Sequence, residues 1–155
     1  SQFRYADSST IAVRDIDSNG NNKVNRSGDS YVAYCWAEIP GFSKFGIYKG
    51  NGNTNGSFVY TGFTPIFIIY RKVASENWHM FDTKRKSENV NATVIDPNRD
   101  AAETTDTNTQ IDILSNGFKL RSSHGTANAN NTDYFYMAFA DQSGSTAYDT
   151  EANAR

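Results

Sequence analysis

A single cysteine and two histidines leave this chain of 155 residues nearly without the side chains that make disulfides and metal centres. Cys35 has no partner for an internal disulfide and excludes a multi-cysteine metal site, so cysteine usage leaves the redox compartment open. Charge is also scarce. Charged residues make up 21% of the chain, and 15 Lys plus Arg against 17 Asp plus Glu give a formal charge of −2. No basic stripe is available to neutralise phosphates, which argues against a nucleic-acid partner. Long apolar runs are missing too. Nothing approaches the roughly 20 residues of a bilayer span, and Pro65-Ile66-Phe67-Ile68-Ile69-Tyr70 is far too short, so a soluble chain without membrane insertion is expected. Ser1 stands first without Met or a signal-peptide pattern, as in a processed product or an excised fragment.

What is present is aromatic and polar. Hydrophobic residues reach 37%, with aromatics at 14% of the chain, among abundant Asn, Gly, Thr and Ser. That mixture suits short strands joined by polar turns, with little helix. The length allows one proper core, and residues 41–141 approach the usual size of a domain.

The chain also repeats itself. Tyr31-Val32-Ala33-Tyr34-Cys35-Trp36-Ala37-Glu38 aligns with Tyr134-Phe135-Tyr136-Met137-Ala138-Phe139-Ala140-Asp141, Tyr on Tyr, Trp36 on Phe139 and Glu38 on Asp141. Upstream of each, Asp15-Ile16-Asp17-Ser18-Asn19-Gly20 reappears as Asp112-Ile113-Leu114-Ser115-Asn116-Gly117. The order is kept, and the spacing differs only in the polar stretch between the blocks, where insertions are tolerated. Residues 1–40 therefore read as the closing hairpin and strand of a partial unit, 41–141 as a complete β-sandwich domain, and 142–155 as a polar tail.

Within that domain the alternation predicts strands at Phe42–Lys49, Ser57–Thr61, Ile66–Val73, Asn77–Asp82 and Gln110–Leu114. Gly50 to Gly56 forms a long turn, and Pro65 belongs at a strand start because it cannot donate within a ladder. Residues 83–110 carry few large apolar side chains and are expected to wander over the surface, turning at Asp96-Pro97-Asn98. In Tyr31–Glu38 and Tyr134–Asp141 a face of small residues (Ala33, Cys35, Ala37; Ala138, Ala140) opposes a large one (Val32, Tyr34, Trp36; Phe135, Met137, Phe139). The large face is expected to fill the core, and the small face to admit another layer or a sister subunit.

Ser18-Asn19-Gly20 and Ser115-Asn116-Gly117 supply the positive-φ residues of tight hairpins. Asp15, Asp17 and Asn19 also match the opening of an EF-hand-like calcium loop, but position twelve is Arg26 rather than a bidentate Glu, and the second copy has Leu114 in place of Asp17. A hairpin is the stronger reading, and no cofactor is expected. Catalysis has little to draw on. Ser123, His124 and Asp133 assemble a triad only on paper, and Asp82 before Lys84-Arg85-Lys86 reads as an ion pair at a strand end. Binding has more. Trp78, Tyr48 and Tyr60 offer flat faces for sugars beside the amides of Asn51, Asn53 and Asn55, weighed against the reading of these rings as core aromatics.

Gly41-Phe42-Ser43-Lys44-Phe45-Gly46-Ile47-Tyr48-Lys49-Gly50-Asn51-Gly52, Phe58 to Pro65, Trp78 to Arg85, Ile113 to Ser122 and Tyr136 to Ala140 together resemble an uncharacterised domain near the C-termini of virion proteins of marine and cyanobacterial tailed phages. The likeness covers roughly residues 24–141. It implies an all-β antiparallel sandwich of jelly-roll or concanavalin/laminin-G type and a place on the virion, outside the cell, and it supplies no catalytic residues. The resulting expectation is a non-enzymatic tail-fibre or appendage domain that forms a homo-oligomer, a trimer, beside other virion proteins and contacts host surface polysaccharide. A decoration or cement protein binding only virion proteins is the alternative, and a polysaccharide depolymerase a weaker one.

Overall fold

Where side chains alternate along an extended backbone, each strand buries every second residue, and that rule builds this molecule. A computed structural model describes residues 3–6, 11–13, 28–74 and 76–141. The chain divides into two compact units, Ser1–Trp36 and Ala37–Arg155. In the first, β1 (Phe3–Ala6) and β2 (Ile11–Val13) pair antiparallel, with a register irregularity between Phe3 and Tyr5. The expected hairpin at Ser18-Asn19-Gly20, with the calcium candidates Asp15, Asp17 and Asn19, lies outside the described residues.

The strand expected at Tyr31–Glu38 does not form. Residues 29–38 join no sheet, and Val32 and Tyr34 are each 77% exposed. A strand is stabilised by neighbours that accept and donate along its length. The sequence likeness to Tyr134–Asp141 is not matched by a likeness in ladder partners.

The second unit is an all-β antiparallel sandwich. Its strands are β3 (Ser43–Lys49), β4 (Phe58–Tyr60), β5 (Pro65–Lys72), β6 (His79–Asp82), β7 (Thr93–Val94), β8 (Thr104–Thr105), β9 (Ile111–Leu114), β10 (Gly117–Leu120) and β11 (Asp133–Ala140). One sheet runs β3-β11-β5-β6, the other β4-β10-β9, and β7 pairs with β8. Among the described residues there is no α-helix, and so none long and apolar enough to cross a membrane. Pro65 opens β5, where its missing N–H is harmless.

The core lies between the two sheets. Ile68, Tyr70 and Phe81 from the larger one meet Ile111, Phe118 and Leu120 from the smaller, all fully buried. Each such side chain contributes roughly 1.5–3 kcal/mol by leaving water. Aromatic edges join the layers, Phe118 against Tyr48 at 6.2 Å and against Tyr136 at 5.6 Å. Buried phenols keep their polar ends bonded: Tyr48 donates to the carbonyl of Ala127 at 2.7 Å and Tyr70 to that of Thr109 at 2.6 Å.

β11 inverts the expected assignment of its faces. Tyr134, Tyr136 and Ala138 point into the core, while Phe135 is 43% exposed and Met137 and Phe139 are partly exposed. The two tyrosines share the face of the small residues, and their rings with satisfied hydroxyls fill more core than the side chains opposite. The outward layer is therefore aromatic rather than small.

The hairpin Ile111–Leu120 turns at Ser115-Asn116, as the repeat predicts, but without positive φ at Asn116. Its carbonyls are stitched instead to the β4–β5 connection. Thr61 and Gly62 both donate to Asn116 O, and the Thr64 hydroxyl donates to Ser115 O. Gly117 is required by closeness: a Cβ there would stand 2.1 Å from Val59 O.

Residues 83–110 do more than wander. Met80 and Ile95 exchange backbone hydrogen bonds at the β6 edge, and Asn91 and Ile111 do so at the β9 edge. The Asn89 amide acts as a further strand partner, accepting from Ile113 N and donating to Ile113 O, both at 2.8 Å. The fully buried Asn91 donates to Lys86 O and accepts from Thr93 N. Polar groups hold this segment where large apolar ones are few. The ion pair expected after β6 is formed, Arg85 bridging Asp82 and Glu103. Burial works to raise the Asp82 carboxyl, and hydrogen bonds from Arg85 override it, leaving it below the usual carboxylate range.

Burial pushes the Tyr48 and Tyr70 hydroxyls well above the ordinary phenol value. Below about pH 10 both folded and unfolded chains keep these protons; above it only the unfolded chain releases them, so stability falls with rising pH. Urea unfolding followed from pH 8 to 11 should show this alkaline loss, and Tyr48→Phe should reduce its slope while Phe118→Ala lowers stability by about 3–5 kcal/mol throughout.

Candidate functional site

The two sheets are sealed along one side and open along the other. On the sealed side, residues 83–106 cover the edges of β6 and β9. On the open side, β3 and β4 are edge strands of different sheets facing one another, and a groove of about 470 Å³ lies along them. Its lining is Ile47, Tyr48 and Lys49 of β3, Ser57 to Tyr60 at β4, and the buried Tyr136.

Register determines which backbone groups face this groove. Gly50 donates to Thr132 O at 2.8 Å and Ala140 to Phe42 O at 2.7 Å, so even-numbered residues of β3 bond to β11 and odd-numbered ones turn to the open edge. On β4 the phase is opposite. Leu120 donates to Ser57 O and Thr61 to Asn116 O, which leaves the amides and carbonyls of Phe58 and Tyr60 at the edge. Some edge groups are taken: Phe45 N donates to the Glu38 carboxylate at 3.1 Å, and the Ser57 hydroxyl donates to Lys49 O at 2.6 Å. Ile47 on one wall, and Phe58 with Tyr60 on the other, keep backbone donors and acceptors toward the groove. Val59 points into the core, so its neighbours Phe58 and Tyr60 must point out, and they are 46% and 62% exposed. Lys49 adds a cation, paired with Asp133 at 2.8 Å.

The end of the groove is braced by the loop from Gly50 to Gly56. Asn51 accepts from Asn53 N at 3.0 Å and Asn53 accepts from Asn55 N at 2.8 Å, a succession of Asx turns. Asn128, fully buried, holds the loop from below. Its amide nitrogen donates to Asn51 Oδ1, Asn53 O and Ser122 O at 2.8–2.9 Å, and its oxygen accepts from Asn51 N at 3.0 Å. Gly56 permits the contact, since a Cβ there would meet Leu120 O at 2.3 Å.

These positions sort the residues singled out from sequence. Tyr60 stands exposed at the groove. Tyr48 touches it from the core, with its ring stacked on Tyr134 at 4.9 Å and its hydroxyl engaged. Asn51 and Asn53 spend their side chains on their own loop, and Asn55 is exposed with its backbone engaged. Trp78 lies elsewhere, just before β6 at the far edge of the larger sheet, with the Arg71 guanidinium 5.2 Å from its ring centre. Three strand spacings, about 14 Å, separate that edge from β3. His124 bonds Thr126 rather than Ser123, and Asp133 bonds Lys49. His79 is buried against Asp96 at 2.8 Å. Among the described residues no cluster of His, Cys, Asp and Glu is arranged to hold a metal. Phe58, Ile47 and Asn128 were not singled out from sequence. The alternation Phe58-Val59-Tyr60 was the available signal for the first, whereas nothing local marks Asn128 as buried.

The profile of a family described as a domain of unknown function (DUF7483) matches residues 2–143. No curated protein and no solved structure matches the chain.

Asn128→Ala should lower stability by about 2–4 kcal/mol, because several buried partners lose their bonds together. It should also release the Asn51 and Gly52 amides in hydrogen exchange, while amides of β9 and β10 keep their order of protection.

Proposed function

The chain belongs to the DUF7483 family, and from a groove walled by aromatic side chains we propose that it is a tailed-phage virion component, an appendage domain that contacts polysaccharide on the host cell surface. The observation that carries this reading is the exposure of Phe58 and Tyr60 beside open backbone donors and acceptors. Sugar rings stack their C–H faces on aromatic planes and present hydroxyls to such groups. The virion placement is supported by the resemblance drawn from Gly41–Gly52 and the later motifs. Self-association and neighbouring virion proteins belong to the same reading, since weak sites repeated on one particle gain strength by multivalency.

A second reading, an assembly component that touches only virion proteins, is favoured by one specific observation, the aromatic outer face of the larger sheet. Adsorption separates the two. Labelled protein should bind susceptible host cells saturably and lose that binding when surface polysaccharide is stripped. Tyr60→Ala or Phe58→Ala should weaken adsorption about tenfold, the scale of one lost aromatic contact, with unchanged circular dichroism, while Trp78→Ala should adsorb as the parent does. Absence of adsorption would favour the assembly component, and loss with Trp78→Ala alone would move the site to the β6 edge.

A further inference from the structure

The outer face of the larger sheet is apolar across all four strands. Ile47, Phe135 and Arg71 stand abreast in one row, and Phe45, Met137, Ile69 and Met80 in the next. In the third row Phe139 lies beside Phe67, with ring centres 5.9 Å apart, and Phe45 meets the Phe139 edge at 5.6 Å. Ile47 and Phe135, cross-strand neighbours, are 56% and 43% exposed. Charge stands at the ends of the rows: Arg71 lies along the neutral Trp78 ring, and Asp82 is paired with Arg85.

A sheet hydrophobic on both faces calls for a layer on each. The core fills one side. We infer that a second copy of this chain covers the other, the two outer faces packing against each other about a twofold axis to make a four-layered dimer. This deepens the self-association in the reading above and rests on it. Three features select this occupant. Arg71 is the one cation on these rows without an ion pair, and the row from Phe45 to Met80 offers no charge for a charged partner to read. The face's central row, Phe45, Met137, Ile69 and Met80, is apolar throughout, so the same face is complementary to itself, as an isologous contact requires, and sheets with large inner residues pack about 10 Å apart. Its size also fits. Strands of seven, eight, eight and four residues, about 4.8 Å apart, give a footprint of roughly 400 Å². Because accessible area exceeds the flat footprint, two such faces together reach the roughly 1,000 Å² that a specific contact needs. A twofold dimer also replaces the trimer expected from sequence, since identical patches meeting face to face close at two.

The test uses the full chain. Light scattering after size exclusion at micromolar concentration should give a dimer. Ile47→Glu with Phe135→Glu, both at exposed positions, should weaken dimerisation more than about tenfold by placing unpaired carboxylates in an apolar contact. The variant should keep its circular dichroism and its cooperative unfolding. Ile47→Leu serves as the packing control and should remain a dimer. A parent that stays monomeric overturns both this interface and the self-association behind it. A parent that forms a trimer, or a dimer indifferent to the two glutamates, overturns this interface alone, and because Ile47 also lines the groove, host adsorption of the unsubstituted chain reports separately on the groove.

Discussion

One buried amide governs the open end of the sandwich. Asn128 is fully buried, so each of its hydrogen atoms and its oxygen must find partners inside the protein. It finds them on two loops far apart in sequence, and in doing so ties the turn from Gly50 to the segment from Ser122. The loop that joins β3 to β4 is fixed by this tie, and with it the end of the groove. Apolar burial spaces the two sheets, and hydrogen bonding shapes the loop beside them.

The aromatic interior complements that constraint. Tyr48 and Tyr134 stack almost parallel, with 7° between their planes, and each sends its hydroxyl to a backbone carbonyl of the 125–127 segment. Tyr134 also accepts from Ala129 N. Core rings and loop backbone are thus one network, and a disturbance at either end is felt at the other. The same arrangement removes Tyr48 as an independent ligand group and leaves Tyr60 and Phe58 to present their rings.

Much of the strand order was legible because alternation is local. Phe42–Lys49, Ile66–Val73 and Gln110–Leu114 stand within a residue or so of the observed strands, and Pro65 marked its own position. Direction was less legible. On β11 both alternating sets are apolar, and only the sheet opposite decides that Tyr134 and Tyr136 go in and Phe135 goes out. Tyr31–Glu38 has a strand's sequence, but pairing depends on neighbours that the sequence of one segment does not specify. The site was half visible: Tyr60 could be picked as an exposed-aromatic candidate, while the Asn-rich loop looked like ligand amides and is instead a scaffold. Asn128 could not be distinguished from the asparagines around it, since burial is a property of the assembled loops.

The position of β11 bears on how the protein is made. It is the last described strand in the chain and yet sits second in its sheet, between β3 and β5. During synthesis, β3 and β5 emerge without the strand that joins them, and their apolar faces must wait. The larger sheet closes only when residues near Ala140 have left the ribosome, whereas β9 and β10 can already pair as a local hairpin. Maturation of this domain is therefore coupled to completion of β11, and a nascent chain stopped short of it would present unpaired edges to its surroundings.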